Sequence, residues 1–269
     1  MTPRLRTQFD PEISYELERL AARAWPADEV HDVGGWLLRR TEGVDRRRSN
    51  SLLPPADPAA ARRTLDLALA TAEELDIPPV IQVSPAESHL GLDDALASMG
   101  ATATGRSLVL AGPLAGQAGG GRGGRAGDDH RRRPAEVRVA LSPLTPAWVE
   151  AWAAVSGIDG TVATAELVLS QLGERARFVM ASQPSTLEPL AVGIGVAEDG
   201  WLGLFSLATA PGARRRGIAS AVIAELEGWA GTRGARGTYL QVEADNSSAL
   251  TLYANRGFHV AHSYHYRSL

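Results

Sequence analysis

Three consecutive arginines stand at the predicted start of a helix, Arg214–Thr232, which follows a strand that ends at Pro211 and a Gly-containing loop. Helix N-termini favour acidic side chains, because their unpaired N–H groups and the macrodipole create positive potential there. Cations at this point indicate that an anion binds beside them. Gly217 and Ala219 follow with little or no side chain, so a phosphate can approach the backbone closely. The alternative is a solvated arginine cluster, as most charge runs are.

A second set of polar residues lies on and between a predicted strand, Tyr239–Ala244, and the helix predicted after it, Ser247–Asn255. Tyr253 carries a hydroxyl that can act as a general acid, and Glu243 a carboxylate that can act as a base. Asn246 precedes the helix and suits its N-cap. Tyr253 also fits simple amphipathic packing, and Glu243 fits a solvated strand position.

Both segments resemble motifs of the GNAT (GCN5-related N-acetyltransferase) superfamily. Arg214–Ala219 is similar to its pyrophosphate loop, R/Q-x-x-G-x-G/A, and Val242–Phe258 is similar to V-x-x-x-N-x-x-A-x-x-L-Y-x-x-x-G-F. The resemblance covers residues 135–269. It implies an N-acetyltransferase that uses acetyl-CoA as co-substrate and needs no metal, and that acts on a primary amine of a small molecule or peptide.

The resemblance also assigns roles to individual residues. Backbone amides of the loop would bind the CoA pyrophosphate, and Asn246 would lie near the pantetheine arm. The N–H of Leu207 would stabilise the oxyanion, and the Tyr253 hydroxyl would protonate the departing thiolate. The residues expected to bind the cofactor are Leu207, Thr209, Arg214, Arg215, Arg216, Gly217, Ile218, Ala219 and Asn246.

The resemblance does not identify a general base in this sequence. Some GNAT enzymes carry a Glu on the strand before the loop, whereas the matching position here is Gly203. Glu243 and Glu198 are candidate bases, and water that relays the proton to bulk solvent is an equal candidate. The missing Glu also supports an alternative function, a non-catalytic acyl-CoA sensor.

The elements that position these residues fall into two halves. Gly112–Pro134 is rich in Gly and Arg and predicts a flexible linker. The predicted fold class is α/β (α+β): a GNAT fold with a mixed central sheet flanked by helices over 135–269, preceded by a degenerate GNAT-like half over 1–111. That first half resembles the N-terminal portion of actinobacterial two-part GNAT proteins. Its corresponding strand-to-helix junction, Leu53–Ala60, lacks the loop motif, so we expect no CoA to bind there.

Composition excludes several classes of function. The chain of 269 residues contains no cysteine and no lysine, which excludes disulfides, Cys-ligated zinc, thiol nucleophiles and a catalytic lysine. The absence of a long apolar run and of a signal-peptide core predicts a cytoplasmic protein that does not associate with a membrane. A net charge of −4 provides no global attraction to nucleic acid. A nucleic-acid-binding module that uses the Arg-rich linker is therefore the weaker rival.

Two weaker patterns do not predict a functional site. Gly119–Gly124 fits G-x-G-x-x-G, but no strand precedes it, so we interpret it as linker. His259, His262 and His265 do not predict a metal site, because His262 points away from the other two on a strand. His265 or Tyr266 could line an acceptor pocket. The sequence leaves the oligomeric state open.

Overall fold

The computed structural model describes residues 9–115 and 137–269. Within these ranges the chain forms two compact units. The first comprises residues 9–110, 241–255 and 259–269, and the second comprises residues 111–115, 137–240 and 256–258. Most of the predicted linker, with its Gly119–Gly124 pattern, lies outside the described residues.

The elements are numbered in chain order. The first half contains α1 Pro11–Ala24, β1 Glu29–Val33, β2 Trp36–Arg40, β3 Ser51–Leu53, α2 Pro58–Arg63, α3 Leu65–Glu74, β4 Val80–Val83, α4 Leu90–Ser98 and β5 Thr102–Pro113. The second contains β6 Arg138–Ser142, α5 Pro146–Ser156, α6 Thr161–Leu167, β7 Ala176–Ser182, β8 Pro189–Glu198, β9 Trp201–Thr209, α7 Ile218–Thr232, β10 Gly237–Glu243, α8 Ser247–Asn255 and β11 His259–Ser268. The fold is therefore mixed α/β.

The sheet of the first unit has the strand order β1-β2-β3-β4-β11-β5. β3 and β4 are parallel, whereas β1–β2, β2–β3 and β4–β11 are antiparallel. Helices α2, α3 and α4 pack on one face of this sheet around a core that includes Trp36, Leu52, Ile81, Leu65 and Leu96. The last strand of the chain thus lies inside the sheet that the first hundred residues build.

The core of the first unit also contains a buried polar chain. On α1, Glu18 contacts His262 of β11, with 2.6 Å between Oε1 and Nε2. The Gln82 side chain donates to the other Glu18 oxygen at 2.8 Å and accepts from Arg39 at 2.8 Å. Burial alone would raise the pKa of Glu18, but the hydrogen bond and charge of His262 hold it below its ordinary value. Glu18 and Gln82 thereby have hydrogen-bond partners although they are buried away from water.

The second unit has the strand order β10-β9-β8-β7-β6. β10 and β9 are parallel, and the other neighbours are antiparallel. Helix α7 packs on the face of β8 that carries Gly193, where an added Cβ would lie 2.9 Å from Val222. Helix α5 packs on the opposite face, where the rings of Trp148 and Phe178 are in edge contact with their centroids 4.8 Å apart. Helix α5 begins at Pro146 after Thr145, whose side chain accepts a hydrogen bond from the Trp148 N–H.

Helices α2 and α3 are separate elements. They are divided at Thr64, whose φ of −107° and ψ of 8° depart from the helical conformation. The Thr64 hydroxyl bonds to the Ala60 carbonyl and accepts from the Trp36 indole, so a tertiary contact fixes the break. Within the described ranges, no helix is both long and apolar enough to cross a bilayer.

Candidate active site

Strand β9 contains a bulge just before the predicted phosphate loop. Val192 pairs with Ala208 and Ile194 pairs with Phe205, so Ser206 and Leu207 lie opposite the single residue Gly193. Ser206 adopts a left-handed conformation with a φ of +48°. A bulge leaves an extra residue out of the regular ladder and re-aims the strand. The amide expected to stabilise the oxyanion, that of Leu207, therefore belongs to the irregular part of β9.

The loop after β9 is built from unusual backbone conformations. A short 3-10 turn, Pro211–Ala213, follows the strand, and Arg214 is extended. Arg215 has a φ of +63°, and Gly217 has a φ of +76°. Helix α7 consequently begins at Ile218, four residues later than predicted, because these conformations cannot be part of a right-handed helix.

The first turn of α7 has no side-chain cap. Gly217 occupies the N-cap position, no side chain bonds to the first amides, and the first turn contains no acidic residue. The first N–H groups of a helix have no partner within it, so they offer hydrogen bonds and positive potential to an anion. An added Cβ on Gly217 would find no atom within 4 Å, so the approach to the backbone is open.

The three arginines lie around this helix start with exposed side chains. Arg214 Nε donates to the carbonyl of Thr209 at 3.2 Å, which fixes the loop to the end of β9. The Ile218 side chain is only 1% exposed and packs into the core, so its backbone alone can face a ligand. The structure therefore brings the predicted loop and strand residues together at one place in the second unit.

The corresponding junction in the first unit, between β3 and α2, is chemically different. Asp57 caps α2, with its carboxylate accepting from the Ala59 N–H at 2.9 Å. The buried ring of His89 contacts the carbonyls of Pro55 and Pro85, each at 3.0 Å. A carboxylate already occupies the electropositive helix end, so a phosphate would meet like charge there.

The remaining predicted site residues belong to the first unit. The Asn246 side-chain oxygen accepts from the Ala249 N–H at 3.1 Å, so Asn246 caps α8. Tyr253 is 7% exposed, and burial raises its pKa to about 12. Glu243 is exposed at the end of β10. Asn246 thus has the structural role that its position before the helix predicted, and the Tyr253 hydroxyl stays protonated near neutral pH.

The structure shows what surrounds Gly203, where the Glu of some GNAT enzymes is missing, and Glu198, a candidate base. A Cβ on Gly203 would lie 2.7 Å from the Tyr239 hydroxyl and 2.6 Å from the Phe205 ring, so aromatic side chains fill the space that a carboxylate would need. Glu198 is ion-paired with Arg175 at 3.0 Å. It pairs with Trp201 at the far end of β9, roughly 26 Å along the strand from Thr209.

Sequence reasoning did not find Ser206 or Gly193. Neither residue belongs to a motif, and no local pattern marks a bulge whose position depends on packing between β8, β9 and α7. The described residues contain no group of three or more His, Asp or Glu side chains that could hold a metal ion.

Known proteins resemble this chain over nearly its full length. Residues 12–267 match the family described as "Probable histone acetyltransferase Rv0428c C-terminal". An uncharacterized N-acetyltransferase of Bacillus subtilis (strain 168), YobR, is 28% identical over 268 residues, covering 94% of this chain and 97% of YobR.

Two solved structures have a similar fold. A GCN5-related N-acetyltransferase from Kribbella flavida superposes with a TM-score of 0.65 at 17% identity, covering 96% of this chain and 94% of that one. A tandem GNAT protein from the clavulanic acid biosynthesis pathway gives a TM-score of 0.62 at 10% identity, covering 94% of this chain and 87% of that protein.

Proposed function

Because the chain belongs to the Rv0428c C-terminal family, a branch of the GNAT superfamily, we propose that it transfers an acetyl group from acetyl-CoA to a primary amine. The acceptor would be a small molecule or a peptide, and the amine would attack the thioester directly. The observation that carries this proposal is the uncapped start of α7 at Gly217, with three exposed arginines beside it. This arrangement suits a diphosphate.

Family membership confirms the predicted superfamily and the acyltransferase class, and the fold confirms the predicted mixed α/β class. The acetyl donor and the amine acceptor are parts of the proposal. They follow from the motif resemblance and from the chemistry of the loop, because amides and guanidinium groups bind phosphate oxygens well.

In the proposed reaction, the amine nitrogen attacks the thioester carbon and the carbonyl electrons move to oxygen. Collapse of this oxyanion breaks the C–S bond, and the thiolate leaves with the electron pair. We assign the protonation of the sulfur to Tyr253 because of its position in the motif. Its hydroxyl suits a general acid because it carries a proton throughout the neutral range, with a pKa of about 12.

The proton released by the amine needs an acceptor of its own. We assign it to Glu243, whose carboxylate is exposed, with bulk water as the alternative. Substitution Glu243→Gln distinguishes these two acceptors. If Glu243 is the base, the variant should show a large loss of kcat that high pH partly restores. A water relay requires kcat to stay near the wild-type value.

The first half is proposed to be a degenerate copy that binds no cofactor, because Asp57 caps the helix start that would otherwise receive the phosphate. The chain should therefore bind one acetyl-CoA. Isothermal titration calorimetry measures this stoichiometry directly, and a stoichiometry of two would contradict the proposal for the first half.

Catalysis is tested by acetyl transfer from acetyl-CoA to a panel of amines, amino acids, aminoglycosides and peptide N-termini. Turnover of one class above the rate of thioester hydrolysis supports the transferase and names its acceptor. The absence of CoA binding in the calorimeter would overturn the function, whereas binding with no turnover would favour an acyl-CoA sensor.

A further inference from the structure

Ser206 has a backbone conformation that its residue type disfavours. Among the described residues, five other than glycine have a positive φ: Asp76, Leu187, Asp199, Ser206 and Arg215. Four of them lie in turns or loops, and Ser206 lies within a strand. Glycine adopts this conformation without steric cost, so a serine here adds strain to β9 that a glycine would avoid. Strain of this kind clusters at functional sites.

The Ser206 hydroxyl is available to a ligand. The side chain is half-buried, and its hydroxyl has no hydrogen-bond partner within residues 9–115 and 137–269. Its neighbours Phe205, Leu207 and Ala208 are apolar, so the hydroxyl is the single polar side chain on this stretch. A hydrogen bond made in such surroundings is stronger than one made in water.

We propose that the Ser206 hydroxyl donates a second hydrogen bond to the carbonyl oxygen of the acyl thioester, beside the Leu207 amide. This inference rests on the proposed acetyl transfer. The two residues are the pair that the bulge places opposite Gly193, so one distortion of β9 presents both donors. An oxyanion site of two donors stabilises the negative charge that appears on oxygen when the amine attacks.

Ser206 takes no proton in this step. Its O–H donates to the oxygen as the N–C bond forms, and keeps its proton when the C–S bond breaks and the carbonyl re-forms. The amine proton goes to Glu243 or water and from there to solvent, and the thiolate receives a proton from Tyr253, which regains one from solvent. The gain is confined to the transition state, so removing the hydroxyl should lower kcat and leave CoA binding unchanged.

Two substitutions separate the hydroxyl from the backbone strain. Ser206→Ala removes the hydroxyl and keeps a Cβ in the left-handed conformation, whereas Ser206→Gly removes both the hydroxyl and the strain. If the hydroxyl stabilises the oxyanion, both variants should lose about 10²-fold in kcat, the loss typical of one oxyanion donor. Their affinity for free CoA should equal that of the wild type. The matched control is Ser142→Ala, a half-buried serine on β6.

Other outcomes would overturn the inference. Wild-type kcat in Ser206→Ala would show that the hydroxyl is not used. A loss in Ser206→Ala that Ser206→Gly restores would show that backbone conformation alone matters. A raised KM for the amine with unchanged kcat would assign the hydroxyl to the acceptor. Failure of the wild-type protein to bind CoA would instead defeat the proposed function, so the two failures are distinguishable.

Discussion

Leu207 Cδ2 lies 2.7 Å from the point where a Cβ on Gly193 would stand, and Val222 of α7 lies 2.9 Å from the same point. The bulge in β9 and the close approach of α7 therefore depend on a glycine across the strand pair. A side chain at this position would have to displace Leu207, the residue expected to supply the oxyanion amide.

Gly193→Ala should consequently destabilise the protein by about 1–3 kcal/mol, as overpacking a core does, and reduce acetyl transfer. Chemical denaturation and a transfer assay measure the two effects. Gly228→Ala on α7 is the matched control, because an added Cβ there meets no atom within 4 Å. This control should stabilise the protein by about 0.5–1 kcal/mol. Equal stability of the two variants would contradict the packing argument.

Ala219→Glu should affect stability and CoA affinity in opposite directions. A carboxylate in the first turn of α7 stabilises the helix by about 0.3–1 kcal/mol, because the turn has no acidic residue. The same carboxylate repels a pyrophosphate, so we expect CoA to bind at least tenfold more weakly. Thermal unfolding and calorimetry report the two changes, and Ala219→Gln controls for side-chain size. Unchanged CoA affinity would place the cofactor elsewhere.

Tyr253→Phe should lower kcat by about 10²-fold while CoA affinity stays the same. Burial raises the pKa of Tyr253 to about 12, so the wild-type tyrosine remains protonated and able to donate from pH 6 to pH 9. The pH–rate profile should therefore show no alkaline decline caused by this residue in that range. Wild-type turnover in the Phe variant would show that the Tyr253 hydroxyl has no part in catalysis and that the ring only packs.

Glu18→Gln should destabilise the protein by about 3–5 kcal/mol at neutral pH, because it leaves His262 without its buried anionic partner. The folded-state pKa of Glu18 lies below its ordinary value of 4.5. Its contribution is therefore fully present above about pH 4.5 and is lost as pH falls through the folded-state pKa. Urea unfolding from pH 3 to pH 8 measures this difference.

The exposed Glu16→Gln on the same helix is the control for that series, and its stability should follow the wild type at every pH. A stability difference between Glu18→Gln and the wild type that does not shrink in acid would show that the carboxylate acts by packing rather than by charge.

Local sequence predicted much of the second half. The bounds of α8, Ser247–Asn255, are those predicted, because a capping residue and a closing glycine mark its ends. The loop motif was also recognisable, although α7 begins four residues late, where Gly217 permits the left-handed turn. These features depend on short-range preferences that a single sequence displays.

Long-range pairing could not be predicted in the same way. The placement of β11 beside β4 depends on partners such as Glu18 and His262, which are 244 residues apart. Tyr239 occupies the space beside Gly203, and this contact, like the bulge at Ser206, depends on neighbouring strands. The predicted linker over residues 112–134 was based on composition, and most of it lies outside the described residues.

The position of β11 has a consequence for biosynthesis. A ribosome makes the chain from the N-terminus, so strands β1 to β5 emerge long before the strand that lies between β4 and β5. The sheet of the nascent first unit remains incomplete until β11 leaves the exit tunnel. The edges of β4 and β5 are exposed to chaperones during that delay, and a premature stop before β11 would leave the sheet built by the first hundred residues without one of its inner strands.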